Sequence, residues 1–311
     1  MSHANGSCTQ ATLNQRRHTD VKEPKITIAL PVFNGGQDLK LAVCSVLWQT
    51  FEDWRLLILD DGSTDHALDA IANLNDPRIV IIRDGLNKGI SARLNQAISL
   101  ADSEYFARMD ADDICHPERL EKQINFLEAN KSVDLLATKC ITINESEEII
   151  GYISPPIAHD EICRRPWRGF YMPHPTWMGR LSWFKRNKYK EPAPYCCEDN
   201  ELLLRASQES VYCALPEALL AYRVRSVTPY KKLLRTRLSM LRTQISYFYK
   251  RSDLSCLLLS SITALAKIIK DIHLFRCAVF VAGRRPSENG SKNIEWKNLI
   301  VKLKKGEAPK N

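Results

Sequence analysis

The stretch KITIALPVFNGGQDLKLAVCSVLWQTFEDWRLLILDDGSTD, residues 25–65, decides the fold. Residues 26–33 are apolar and rich in β-formers, and the turn-forming Asn34-Gly35-Gly36 follows, so a buried strand is predicted there. Leu39, Ala42, Val43, Val46 and Leu47 then recur at helical spacing. Residues 55–59 form a second apolar run, ending in Asp60-Asp61-Gly62-Ser63-Thr64-Asp65. The same alternation continues outward. Ala67, Leu68, Ile71 and Leu74 mark a helix, 78–83 a third strand, Ile90, Leu94, Ala97 and Ile98 another helix, and 105–109 a fourth strand. That strand ends in Asp110-Ala111-Asp112-Asp113, and Pro117 then stands in a first helical turn ahead of Leu120, Ile124 and Leu127. Apolar strands alternating with amphipathic helices imply βαβ units and a mostly parallel sheet covered on both faces. Ligands of such sheets sit beyond the carboxyl ends of the strands, where the polar clusters after Val32, Leu59 and Met109 fall.

Beyond this core the pattern loosens. A strand pair is expected at 133–144 and 147–153, then a Pro- and Trp-rich stretch, a helix at 198–207, and strands near 211–214 and 219–224. Residues 231–283 read as basic amphipathic helices. Their longest uncharged run, 254–266, has 13 residues, short of the roughly 20 that a bilayer span needs. Residues 1–24 show no apolar periodicity and are expected to be a flexible arm, and 284–311 form a polar, Lys-rich tail.

The chain has 311 residues, 44% of them hydrophobic and 26% charged, which excludes collagen-like and wholly disordered classes. Its net charge of +8 hides a division. Residues 231–311 hold 18 Lys/Arg and 5 Asp/Glu, a net of +13, whereas residues 1–230 hold 26 and 31, a net of −5. The ten cysteines include no CxxC pair and the N-terminal 24 residues no apolar core, so free thiols in a reducing cytosol are expected. An anionic membrane suits apolar-stemmed basic helices at least as well as nucleic acid does.

Asp110, Asp112 and Asp113 crowd one strand end, and carboxylates so close repel one another. A hard divalent cation relieves that repulsion, because Mg²⁺ takes one or two carboxylates and shares its other positions with phosphate and water. A solvated acidic turn is the plainer alternative. A calcium loop does not fit, since the fifth position from Asp110 is Ile114 and the glycine-demanding sixth is Cys115. A DxDGT phosphatase lacks its Gly-Thr pair. In DDGSTD, helix capping accounts for Ser63, Thr64 and Asp65, and Asp61 is left to accept hydrogen bonds from a base or ribose.

The segments IALPVFNG, LLILDDGSTD, NKGISARLNQAI, YFARMDADDICHPERLEKQINFLE and CCEDNELLLRA, in that order, resemble the inverting nucleotide-sugar glycosyltransferases of family 2. The resemblance covers about residues 25–225 and is similar in subgroup to bacterial enzymes of lipopolysaccharide, capsule or exopolysaccharide synthesis. It implies an α/β GT-A fold, a Rossmann-like, mostly parallel twisted sheet with helices on both faces. The GT-A domain would span 25–230, with a nucleotide-sugar half (25–130) and an acceptor half (131–230), before a helical extension at 231–283.

The resemblance also implies roles. Pro31, Val32, Asn34 and Asp61 match positions holding the nucleoside, and Asn87 and Gly89 match the loop that flanks it. Asp110 and Asp112 match the DxD motif, Asp110 near the ribose and Asp112 on the Mg²⁺ or Mn²⁺ bridging the diphosphate, and Asp113 would contact donor sugar or acceptor. Asp199 of the Glu198-Asp199 pair matches the catalytic base. The implied activity is transfer of a hexose-type sugar from a nucleotide sugar, UDP being the commonest carrier, to a glycan or lipid-linked acceptor. The chain would act in the cytoplasm, with its C-terminal helices on the anionic inner face of the cell membrane. A QxxRW motif does not follow Asp199, which favours single additions. His174 is either a ligand-contacting or a structural histidine, and Trp167, Tyr171, Trp177 and Trp183 either stack on sugar or fill core. Rival readings are a sugar nucleotidyltransferase, whose glycine-rich Thr/Arg loop is not matched by residues 31–36, and a non-catalytic nucleotide-sugar-binding or scaffold protein.

Overall fold

The computed structural model describes residues 23–225, 229–276 and 290–306. The expected N-terminal arm therefore lies outside the described residues, apart from Glu23 and Pro24. The first half alternates as the sequence predicts: β1 (Ile26–Val32), α1 (Asp38–Leu47), β2 (Trp54–Asp60), β3 (Ile79–Arg83), α2 (Ile90–Leu100) and β4 (Tyr105–Arg108). After them come β5 (Ile114–Cys115), α3 (Arg119–Ala129), β6 (Leu135–Ile143), β7 (Ile149–Ile153) and α4 (His159–Cys163). The second half closes with β8 (Met178–Arg180), α5 (Leu181–Arg186), α6 (Glu198–Ala206) and β9 (Tyr212–Arg223). Three C-terminal helices follow, α7 (Tyr230–Lys250), α8 (Leu254–Arg276) and α9 (Gly290–Lys305).

One nine-stranded sheet runs β3-β2-β1-β4-β8-β6-β9-β5, with β7 added on β6. Strands β3, β2, β1 and β4 are parallel, and β8 pairs antiparallel with both β4 and β6. In the order 3-2-1-4 the chain reverses direction between β1 and β4, and a crevice opens there at the carboxyl ends. Alternation within each strand feeds two cores. Ile28 and Leu30 of β1 pack with Leu39 and Val43 of α1 and Ile124 of α3, while Ala29 joins Leu94, Trp183, Leu203 and Phe248 on the other face.

Local expectations fail where tertiary context or breakers intervene. After Asp65 only a 3-10 turn forms, Ala67–Ile71. Asn73, Asn75, Asp76 and Pro77 crowd the following residues and leave no length for a helix. The two strands expected near 211–214 and 219–224 are one strand, β9, whose pairing skips from Leu215 to Ala218 opposite Thr138 and Lys139. Pro216 sits in that bulge, where no ladder N–H is required. Within the polar tail, α9 is a helix that buries Trp296, Ile300 and Leu303 against Ile114, Ile141 and Ile143. Those three side chains form a narrow stripe among lysines, easily passed over in composition.

Candidate active site

Two turns at the carboxyl ends of β1 and β2 are tied together. The Asn34 N–H donates to Ser63 Oγ at 3.0 Å, Thr64 N–H donates to Asn34 Oδ1 at 2.8 Å, and Gly36 N–H donates to Asp65 at 2.7 Å. Asn34 takes a left-handed φ of 53°, which Asn tolerates better than most residues. Gly62 has φ +78°, and a Cβ there would meet the Asn87 backbone nitrogen at 3.2 Å. The loop at 86–89 can therefore lie directly over the Asp-Asp-Gly turn. Asp61 fastens that loop, accepting from Lys88 N–H at 2.7 Å, Gly89 N–H at 3.0 Å and Arg93 Nε at 2.9 Å. Arg93 is fully buried, with its remaining donors on Asp84, Gln96 and the Leu86 carbonyl. Asp61 thus spends its lone pairs on its own chain and shapes the flanking loop from beneath.

At the end of β4 the DxD turn is folded by residues from three elements. Arg119 of α3 is buried and donates to the Arg108 carbonyl at 2.8 Å, fixing where the strand stops. Arg223 of β9 gives its backbone N–H to Asp113 at 2.9 Å and its Nε to the Asp112 carbonyl at 2.9 Å. Asp113 is buried, and its Oδ2 lacks a hydrogen-bond partner. Burial, with Asp110 and Asp112 adding negative charge, holds its carboxyl well above the usual range. Asp110 is also raised by burial, offset in part by the Arg108 guanidinium, whose Nη2 lies 2.5 Å from Oδ1. Asp112 is partly exposed, with Arg225 Nη2 3.5 Å from its carboxylate.

A cavity of about 690 Å³ opens beside this turn. Asp110, Arg108 and Gly89 line it together with Glu198 and Asp199 from the first turn of α6. The 169–175 segment supplies a wall, held in place because Asn200 Oδ1 accepts the Phe170 N–H at 2.8 Å. Asp199 Oδ1 accepts the Asn200 N–H at 2.7 Å, and burial raises its carboxyl. Glu198 is pushed up to about 7 by burial and by Asp199 beside it. His174 lies with Nε2 2.7 Å from the Tyr189 hydroxyl and its ring edge-on to Trp177. Burial and the Arg108 charge drive its pKa well below 6.5, so its 3.9 Å approach to Glu198 joins a neutral imidazole to a carboxyl.

The cavity thus collects Gly89, Asp110 and Asp199 from the predicted set. Pro31 and Val32 end β1, Asn34, Asp61 and Asn87 sit in the neighbouring turns, and Asp113 lies behind the DxD turn against β9. Trp177 and Trp183 are core, whereas Tyr171 is 45% exposed on the cavity wall. Cys196 is exposed with φ 49°, and the buried Cys197 sulfur lies 3.4 Å from Ser239 Oγ on α7, so the adjacent thiols point to different surroundings. Sequence reasoning passed over Arg108. It is 2% exposed, with Nε and Nη1 unpartnered, and lines the cavity among Asp110, Glu198 and Asp199. A charged residue in the middle of an apolar strand, YFARMD, was the available signal.

Among the described residues no three His, Cys, Asp or Glu side chains converge into a complete metal site. Asp110 and Asp112 offer hard oxygen donors, and the raised carboxyls of Asp110 and Asp113 mark negative charge that the protein leaves uncompensated. That donor set fits Mg²⁺ or Mn²⁺ shared with a diphosphate, since such ions keep only one or two protein carboxylates.

Comparison with known proteins bears on the family and the fold. The family model described as Glycosyl transferase family 2 matches residues 27–187. An uncharacterized glycosyltransferase of Haemophilus influenzae is 30% identical over 215 residues, 65% of this chain and 66% of that protein. The UDP-Glc:alpha-D-GlcNAc-diphosphoundecaprenol beta-1,3-glucosyltransferase WfgD of Escherichia coli is 28% identical over 130 residues, 42% of this chain and 51% of its own length. These alignments thus leave a third or more of each relative unmatched. Among solved structures, Staphylococcus aureus TarS in complex with UDP-GlcNAc superposes with a TM-score of 0.56 at 17% identity, covering 90% of this chain and 81% of that one. The mannosyltransferase PcManGT of Pyrobaculum calidifontis, in complex with GDP-Man and Mn²⁺, gives 0.51 at 13% identity, covering 90% and 85%. At such identities the likeness speaks for the fold.

Proposed function

Since this chain belongs to glycosyl transferase family 2, we propose that it is a non-processive inverting glycosyltransferase. It moves a hexose-type sugar from a nucleotide sugar, UDP-linked by preference, to a hydroxyl of a glycan or lipid-linked acceptor during synthesis of a bacterial surface polysaccharide. The observation that carries the reading is one cavity lined by both Asp110 of the DxD turn and Asp199 of the Glu198-Asp199 pair. Inversion needs a base on the acceptor hydroxyl, in line with the departing diphosphate, and this cavity brings carboxylates for both tasks to one place. The relatives add support, because WfgD is by name a UDP-glucose-dependent enzyme with a lipid-diphosphate acceptor.

In this mechanism Asp199 takes the acceptor proton. Its pKa, raised by burial, makes it a stronger base than a solvated aspartate, and a positioned base contributes about 10²–10⁴-fold. Asp110 and Asp112 would hold Mg²⁺ or Mn²⁺, which when bound supplies positive charge against the diphosphate. Arg108 adds a fixed cation at the same place, its buried Nε and Nη1 making no hydrogen bond within the chain. Pro31, Val32, Asn34, Asn87 and Gly89 border the nucleoside, Asp61 secures the loop before α2, and the buried Asp113 supports the DxD turn from behind through the Arg223 N–H. The enzyme is placed at the cytoplasmic face of the inner membrane, where lipid-linked acceptors are available.

Asp199→Asn tests the assignment. Transfer should fall at least a hundredfold, while the thermal shift caused by UDP-sugar with Mn²⁺ stays as in the parent protein. Full turnover by this variant would remove Asp199 from the mechanism.

A further inference from the structure

Helix α8 is amphipathic the wrong way round for a soluble protein. Leu254, Leu258, Ile262, Leu265, Ile269 and Ile272 recur every three or four residues and are 73%, 60%, 55%, 60%, 58% and 39% exposed. They therefore lie along one face. Its inward face is the more polar one: Ser260 and Asp271 are buried there, and Asp271 accepts from Arg237 of α7 at 3.0 Å. An exposed apolar strip six residues long exceeds what scattered surface leucines explain.

Charge selects the occupant. Within 230–273 the carboxylates are Asp253, which caps α8 through the Cys256 N–H, and the buried Asp271. On α7, α8 and the turn between them Lys231, Lys232, Arg235, Arg242, Lys250, Arg251 and Lys270 are exposed. A second copy seated on this face would bring two such cationic surfaces together, whereas an anionic lipid surface offsets the charge and accepts the apolar strip. No described helix is long and apolar enough to cross a membrane, so the helix would lie in the interface plane.

We infer that the outer face of α8, flanked by the exposed lysines and arginines of α7 and α8, inserts into the headgroup layer of an anionic bilayer. The contacts of these helices tie that insertion to the cavity. Lys267 Nζ donates to the Arg168 carbonyl at 2.9 Å, Gln244 Nε2 donates to the Pro166 carbonyl at 3.0 Å, and the Arg235 guanidinium stacks 4.0 Å over Tyr195. Tyr195, and Phe170 and Tyr171 just beyond Arg168, line the cavity, so docking α8 sets its rim beside the lipid surface. The link to a lipid-linked acceptor rests on the proposed function; the insertion does not.

The test is co-sedimentation of the full chain with phosphatidylcholine vesicles, alone or with about 30% phosphatidylglycerol. The parent protein should bind the anionic vesicles and release in high salt. The triple variant Leu258→Ser, Ile262→Ser, Leu265→Ser, altered only at exposed positions, should bind at least tenfold more weakly with an unchanged melting temperature. Asp199→Asn should bind vesicles like the parent, which separates loss of catalysis from loss of docking. Unaltered binding by the triple variant, or no binding by the parent protein, overturns the inference. So does a fall from dimer to monomer in light scattering without a change in vesicle binding, which would assign the strip to a second copy.

Discussion

Replacing Glu198 with Gln should stabilise the protein by an amount that grows as pH rises from about 4.5 and levels off above about 7. The Glu198 carboxyl is raised from its ordinary 4.5 to about 7, first by burial and then by Asp199, with Arg108 opposing and Asp110 adding to the effect. His174 also faces it, and burial holds its imidazole pKa well below the ordinary 6.5. Between pH 4.5 and 7 the folded state therefore holds a proton that the unfolded chain has released. Stability contributed by the protonated form is complete below about pH 4.5 and is lost as pH rises through 7. At 1.36 kcal/mol per pKa unit the burden of ionised Glu198 reaches about 3 kcal/mol by pH 8. A carboxamide of the same shape carries none of it. Melting scans in chelator should find Glu198→Gln equal to the parent at pH 4.5 and roughly 5 °C more stable at pH 8. A difference that does not change with pH, or a variant less stable at pH 8, would refute the claim that Glu198 is held in a charge-averse site.

Arg108→Met removes the buried cation that three cavity carboxylates share, so about 2–4 kcal/mol of stability should be lost at pH 8 and less at pH 5, where Glu198 is protonated. Urea unfolding at the two pH values reads this, and a pH-independent loss would make Arg108 a packing residue. Gly179→Ala would set a Cβ 2.4 Å from the Asp134 carbonyl, where β8 is squeezed beside β6. Its cost should be about 3 kcal/mol in the same assay, and a neutral result would mean that β8 can shift away from Asp134.

The nucleotide-sugar half was legible because its information is local. Continuous short apolar runs, helices of period 3.6 and acidic clusters at strand ends need no partner to be recognised, and β1, β2, β4, α1 and α2 fall where those patterns put them. The acceptor half was less legible. Three-residue β8 owes its place to β4 and β6 on either side, two-residue β5 is defined by β9, and the bulge in β9 is fixed by its register on β6. For α8 the periodicity was visible, yet nothing local says which face turns inward.

The sequence alone determined the family, the α/β class and the carboxylates at the strand ends, because a family motif is a local arrangement of residue types. Charge state and exposure were decided only by tertiary structure, because both depend on which distant segments surround a group. Packing β4 against α6 and the 169–175 segment makes Arg108 a buried cation among carboxyls and moves Glu198 to about 7. Packing α8 on α7 by its polar side leaves its leucines and isoleucines facing outward.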